Sequence, residues 1–75
     1  MKEYILIFDG QKITCKSFFI VEMGTEGIDI YNEDNTRIDE MLDISIPDTE
    51  DKEECEHFET KVTNFIKEKY GSLCS

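Results

Sequence analysis

The sequence predicts an α+β fold: a small antiparallel β-sheet of three to four strands packed against one C-terminal α-helix, a two-layer sandwich in one domain spanning residues 1–75. Three observations carry this. Strand-like apolar stretches fill the first 31 residues, broken by Asp9-Gly10 and by the stretch GTEG at 24–27. Pro47 then interrupts the chain. Beyond it, Cys55, Phe58, Val62, Phe65, Ile66, Tyr70 and Leu73 recur at intervals of three and four, one apolar stripe along a helix.

EYILIFDGQKITCK reads as a hairpin, because Asp-Gly suits a two-residue turn whose central residues both need positive φ. Closing it sets Phe8 opposite Gln11, Leu6 opposite Ile13, Tyr4 opposite Cys15 and Glu3 opposite Lys16. Tyr4, Leu6, Phe8, Ile13 and Cys15 then share one face, while Ile5, Ile7, Lys12 and Thr14 share the other. SFFIVEM extends the second strand, or restarts after a bulge near Ser17, and GTEG returns the chain as IDIYN to complete a three-stranded meander.

Residues 33–46 carry two overlapping periods. Ile38, Met41 and Leu42 fit one helical turn; Ile38, Leu42, Ile44 and Ile46 fit an alternating strand. The favoured reading is a turn or short helix at 35–42, then DISI as a fourth strand. Asp48 or Thr49 caps the C-terminal helix, acids in its first turn and Lys67 and Lys69 near its end complement the dipole, and Gly71 stops it. The last residues, SLCS, are expected to fray.

Composition narrows function. The longest apolar run, Tyr4 to Phe8, is five residues against ~20 needed to cross a bilayer. No signal-peptide pattern opens the chain, so the expected location is the cytoplasm. Three cysteines, an odd number, do not make a disulfide framework. Cys55 and His57 project about 200° apart on a helix and cannot share a metal. The segment from Asp29 puts Tyr31 where a calcium loop needs an oxygen ligand and Asp34 where it needs glycine, and no phosphate-binding glycine loop occurs. No enzyme activity, cofactor or metal is expected.

Charge is the dominant feature. The net charge is −10, and residues 22–59 hold fifteen acids against two bases. PDTEDKEECEHFETK, residues 47–61, holds seven carboxylates. Such a field repels nucleic acid and anionic membranes and attracts a basic protein surface, including that of a nucleic-acid-binding enzyme. Carboxylates three and four apart on a helix lie ~5–6 Å from each other, comparable to the ~3.4 Å phosphate rise along one DNA strand. The candidate partner-binding residues are Glu50, Glu53, Glu54, Glu56 and Glu59, joined by Asp29, Glu33, Asp34, Asp39 and Glu40 where the loops lie on the same side. A solvated helix start that merely offsets the dipole and aids solubility is the plainer account of the same acids.

Ten isoleucines, no alanine and one arginine against seven lysines match AT-rich codon usage, as in an AT-rich bacterium or its phages. In size, codon bias and acidity the chain is similar to anti-CRISPR and other anti-defence proteins, a similarity of class that no particular stretch carries. It implies a phage-type inhibitor that imitates nucleic acid and blocks the groove of a host nuclease or defence complex. The alternative is an adaptor or assembly subunit that binds through Ile5, Ile7, Phe18 and Ile20 on an uncovered sheet face. Edge-strand pairing into a homodimer is a third route.

Overall fold

The computed structural model describes residues 2–71. Its elements run β1 (Glu3–Phe8), β2 (Gln11–Ile20), β3 (Thr25–Tyr31), β4 (Arg37–Leu42) and α1 (Lys52–Tyr70), with the four strands in one antiparallel sheet of order β1-β2-β3-β4. This is the expected α+β sandwich, with four strands and a single helix across one side.

The first hairpin pairs as its turn dictates: Phe8 with Gln11, Leu6 with Ile13, Tyr4 with Cys15 and Glu3 with Lys16. Asp9 and Gly10 both take positive φ, the geometry that lets two residues reverse the chain without splaying the strands. β2 then continues unbroken from β1 to β3, pairing Ser17 with Ile28 and Ile20 with Thr25. Of the two readings of SFFIVEM the continuous strand holds, with no bulge at Ser17; the register shifts instead between Ile30 and Tyr31, against β4. The turn into β3 lies at residues 21–24, earlier than the expected 24–27, so Gly27 stands inside a strand. A side chain there would meet the Met41 carbonyl oxygen at 2.6 Å and the Phe18 ring at 2.7 Å. Glycine leaves room for that ring against the β3 backbone.

Residues 35–42 are not helical. Asn32 organises a tight loop: its side-chain oxygen accepts from the amides of Asp34 (3.0 Å) and Thr36 (2.9 Å), and Asn35 takes a φ of 64°. The chain leaves that loop antiparallel to β3, and pairing Ile28 with Met41 and Asp29 with Glu40 outcompetes one marginal helical turn. DISI is correspondingly not a strand. Ile44 and Ile46 are nevertheless buried, because this extended segment crosses on the helix side of the sheet, tied by Ile44 N–H to the Glu26 carbonyl.

The core lies between the layers. Leu6, Ile13, Cys15, Ile28 and Ile30 from the sheet meet Phe58, Val62 and Ile66 from α1, with Ile44 and Ile46 closing one end. The stripe is narrower than its sequence suggested. Cys55 and Phe65 are half-buried, Tyr70 is 41% exposed, and Leu73, with the expected fraying of SLCS, falls outside the described residues. The N-cap is Asp51, not Asp48 or Thr49; its carboxylate accepts from Glu54 N–H at 3.2 Å. Pro47 and the turn joining Asp51 N–H to the Asp48 carbonyl postpone helix entry until three residues past Asp48. At the far end Gly71 takes a φ of 76° and donates to the Lys67 carbonyl at 2.8 Å, the helix stop its conformational freedom allows.

Candidate functional site

With one helix on one side, the sheet has an inner face against α1 and an open face. Pairing and alternation assign the side chains. Glu3, Lys16, Asp29 and Glu40 form one row across the open face, and Ile5, Thr14, Tyr31 and Arg37 form the next. Phe18, Gly27 and Leu42 form a third row, with Ile20 beyond and Ile7 and Lys12 at the opposite end. The face carries Glu3, Asp29 and Glu40 against Lys12, Lys16 and Arg37, so its charges balance. Arg37 binds Asp29 at 2.8 Å and Glu40 at 3.5 Å, and Lys16 stacks over the Tyr31 ring at 4.8 Å. Residues 33–46 do not fold over this face, and Ile5, Ile7 and Leu42 remain 54%, 66% and 47% exposed.

The outer surface of α1 differs. From Glu50 to Glu59 the chain has six carboxylates and one lysine. Glu53 and Glu56 line a shallow depression with His57 and Thr60, and Glu54 lies on one flank with His57 and Lys61. Glu59 lies on the other flank, where it accepts a 2.6 Å hydrogen bond from the Tyr4 hydroxyl. The Tyr4 ring in turn tilts against Phe58, with centroids 5.0 Å apart. Burial and then the Glu59 carboxylate raise the Tyr4 hydroxyl's pKa well above its ordinary value. It therefore stays protonated and holds Glu59 in place. Glu50, Glu53, Glu54 and Glu56 have no ion-pair partner among the described residues.

The ten acids expected to act together are thus divided. Glu50, Glu53, Glu54, Glu56 and Glu59 share the N-terminal half of α1 and its approach. Asp29 and Glu40 lie on the opposite face of the molecule, paired with Arg37. Glu33 and Asp34 occupy the exposed β3–β4 loop. Asp39 points inward to the other end of the helix, where Lys69 binds it at 2.7 Å and the Tyr70 hydroxyl donates to it at 2.8 Å. Sixteen residues separate Lys69 from Glu53, about 24 Å along the axis. The Lys69 hydrogen bond, more than any other influence, holds the Asp39 carboxyl below its usual range. This contact fastens β4 to the end of α1, a structural duty rather than an offered charge.

No family model, curated protein or solved structure matches this chain.

Two further features constrain chemistry. Cys15 is buried under the helix, and burial pushes its thiol up to about 12, out of nucleophilic range. Cys55 is half-buried and donates to the Asp48 carbonyl at 3.4 Å. Among the described residues no three His, Cys, Asp or Glu side chains converge to hold a metal ion, and no helix is long and apolar enough to cross a membrane. Sequence reasoning missed the Tyr4–Glu59 bond and the Asp39–Lys69–Tyr70 cluster. The first had a signal: the hairpin register already put Tyr4 on the helix side. The second had none, because it needs β4 to be a strand.

Proposed function

We propose that this chain is a small non-enzymatic binding protein whose acidic α1 surface engages a basic surface of another protein. The observation that carries the reading is the contrast in pairing. Asp29, Asp39 and Glu40 each have a cation within ion-pair distance, whereas Glu50, Glu53, Glu54 and Glu56 have none among the described residues. Unpaired like charges on one short stretch repel each other, a cost that a basic partner recovers. The helix gives the row a fixed pitch, and Tyr4 fixes Glu59 at its end. Its sharpest form is occupation of a groove that otherwise takes a nucleic-acid backbone, in the cytoplasm, as an inhibitor from a phage would act.

A second reading has its own support. The uncovered sheet face with exposed Ile5, Ile7 and Leu42 suits an adaptor that binds by apolar burial. Affinity capture from the native host at low salt separates the two. Under the acidic reading, a partner held by the wild type is lost from the Glu53→Gln/Glu54→Gln/Glu56→Gln variant and is eluted by salt. Equal recovery by both proteins at all salt concentrations contradicts it.

A further inference from the structure

The two edges of the sheet are treated differently. β4 is protected: its register shifts, and Arg37, Asp39 and Glu40 place charge along it, the usual devices against unwanted strand pairing. β1 has no such protection past Glu3; Ile5, Leu6, Ile7 and Phe8 are all apolar. Tyr4, Leu6 and Phe8 pair with β2 as hydrogen-bonded partners, because a two-residue hairpin closes on such a pair and the type alternates along the ladder. The Ser17 amide bonded to the Lys2 carbonyl at 2.9 Å continues that alternation. The peptide groups of Glu3, Ile5 and Ile7 consequently face outward, where no described strand meets them.

Alongside this edge runs a groove of about 500 Å³ between β1 and α1, lined by Tyr4, Ile5, Lys52, Cys55, Glu56 and Glu59 among others. A fifth strand would lie ~4.8 Å outside β1, directly in this groove. Its side chains would alternate between the helix side, facing Glu56 and Glu59, and the open side, beside Ile5 and Ile7. Two acids, Glu56 and Glu59, against Lys52 favour cations on the helix side, and the exposed isoleucines favour aliphatic groups on the other. A second copy of the chain fits poorly, because it brings its own acidic helix and another −10 of charge.

The geometry points to β1 as a docking edge for an extended partner segment that alternates basic and aliphatic residues, added to the sheet as a fifth strand with its basic side chains on Glu56 and Glu59. This rests on the acidic reading above and specifies how the partner is gripped: backbone hydrogen bonds give it register, and the carboxylates choose its sequence. The net negative charge then keeps an otherwise adhesive edge from pairing with itself.

The test uses the whole protein and the synthetic peptide Lys-Val-Lys-Val-Lys-Val, alongside the same peptide N-methylated at alternate residues in both phases. Methylation removes amide donors without changing charge. The expected result is that the plain peptide binds with amide shifts concentrated at Glu3, Ile5 and Ile7 and that one methylated phase binds about tenfold more weakly or worse, as loss of two or three backbone hydrogen bonds requires. The Ile5→Pro variant removes an outward donor while leaving the β1–β2 ladder intact, and is expected to lose binding equally. Equal affinity for plain and methylated peptides overturns strand addition and leaves the acidic reading standing. Failure of every peptide to bind overturns strand addition and counts against the acidic reading too. A dimer in sedimentation that Ile5→Pro returns to monomer overturns it in favour of a second copy.

Discussion

The open face of the sheet and the outer face of α1 are both charged, but only the first is balanced. Across the sheet, strand pairing sets Glu3, Lys16, Asp29 and Glu40 side by side, and Arg37 reaches two of the acids. On the helix, intervals of three and four bring acid beside acid, and Lys52 pairs with none of them. Net charge alone therefore describes neither face. Solubility needs only the total; a run of unpaired acids on one short stretch asks for a further reason, which the proposed basic partner would supply.

Both faces depend on the seam between them, so the largest expected effect is there. Phe58→Ala removes the ring that supports Tyr4 and should cost about 3–5 kcal/mol in urea unfolding. If it also frees Glu59, binding through α1 falls by more than the loss of folded protein explains. Binding that tracks the folded fraction alone would show that Glu59 needs no fixed position.

Gly27→Ala addresses the open face. Its methyl would collide with a backbone oxygen that cannot move away and with the Phe18 ring, and should destabilise by about 1–3 kcal/mol. Under the acidic reading a folded fraction of this variant binds partners normally; under the adaptor reading the displaced Phe18 spoils the surface.

Asp39→Asn distinguishes a paired acid from an unpaired one. It weakens the Lys69 and Tyr70 contacts and should cost about 1 kcal/mol. The pH dependence has a definite sign. The folded carboxyl has the lower pKa, so its contribution is complete above the ordinary aspartate value near ~3.9 and disappears as pH falls through the folded value. Thermal melts of wild type and Asp39→Asn should therefore differ at neutral pH and converge in strong acid. A constant difference at every pH would mean that packing, not charge, is lost.

The smallest effect on stability belongs to the proposed binding residues. Glu53→Gln/Glu54→Gln/Glu56→Gln loses favourable dipole contacts but relieves repulsion, leaving a change under about 1 kcal/mol. A large loss would place these acids in the fold's own service.

How much of this was written in the sequence follows from how local each signal is. Asp9-Gly10 determines a turn by itself, and the whole hairpin register follows from it. The apolar stripe located α1, and Gly71 its end. Residues 33–46 resisted because Ile38, Met41 and Leu42 satisfy a helix as well as a strand; what decides is the free edge of β3, which no local window contains. The carboxylates of α1 came out together because helix spacing is local. Asp29, Asp39 and Glu40 did not join them, since their positions depend on the register of β3 with β4 and on Lys69 arriving from the other end of the helix.

The central claim is that unpaired carboxylates on α1 hold a basic partner. The direct measurement is the affinity of the captured partner for wild type and for Glu53→Gln/Glu54→Gln/Glu56→Gln, each at low and at high ionic strength. The account predicts that the wild type binds at least about tenfold more tightly at low salt, and that high salt brings the two proteins together. Equal affinities at low salt, or wild-type binding that holds or tightens as salt is raised, would contradict it.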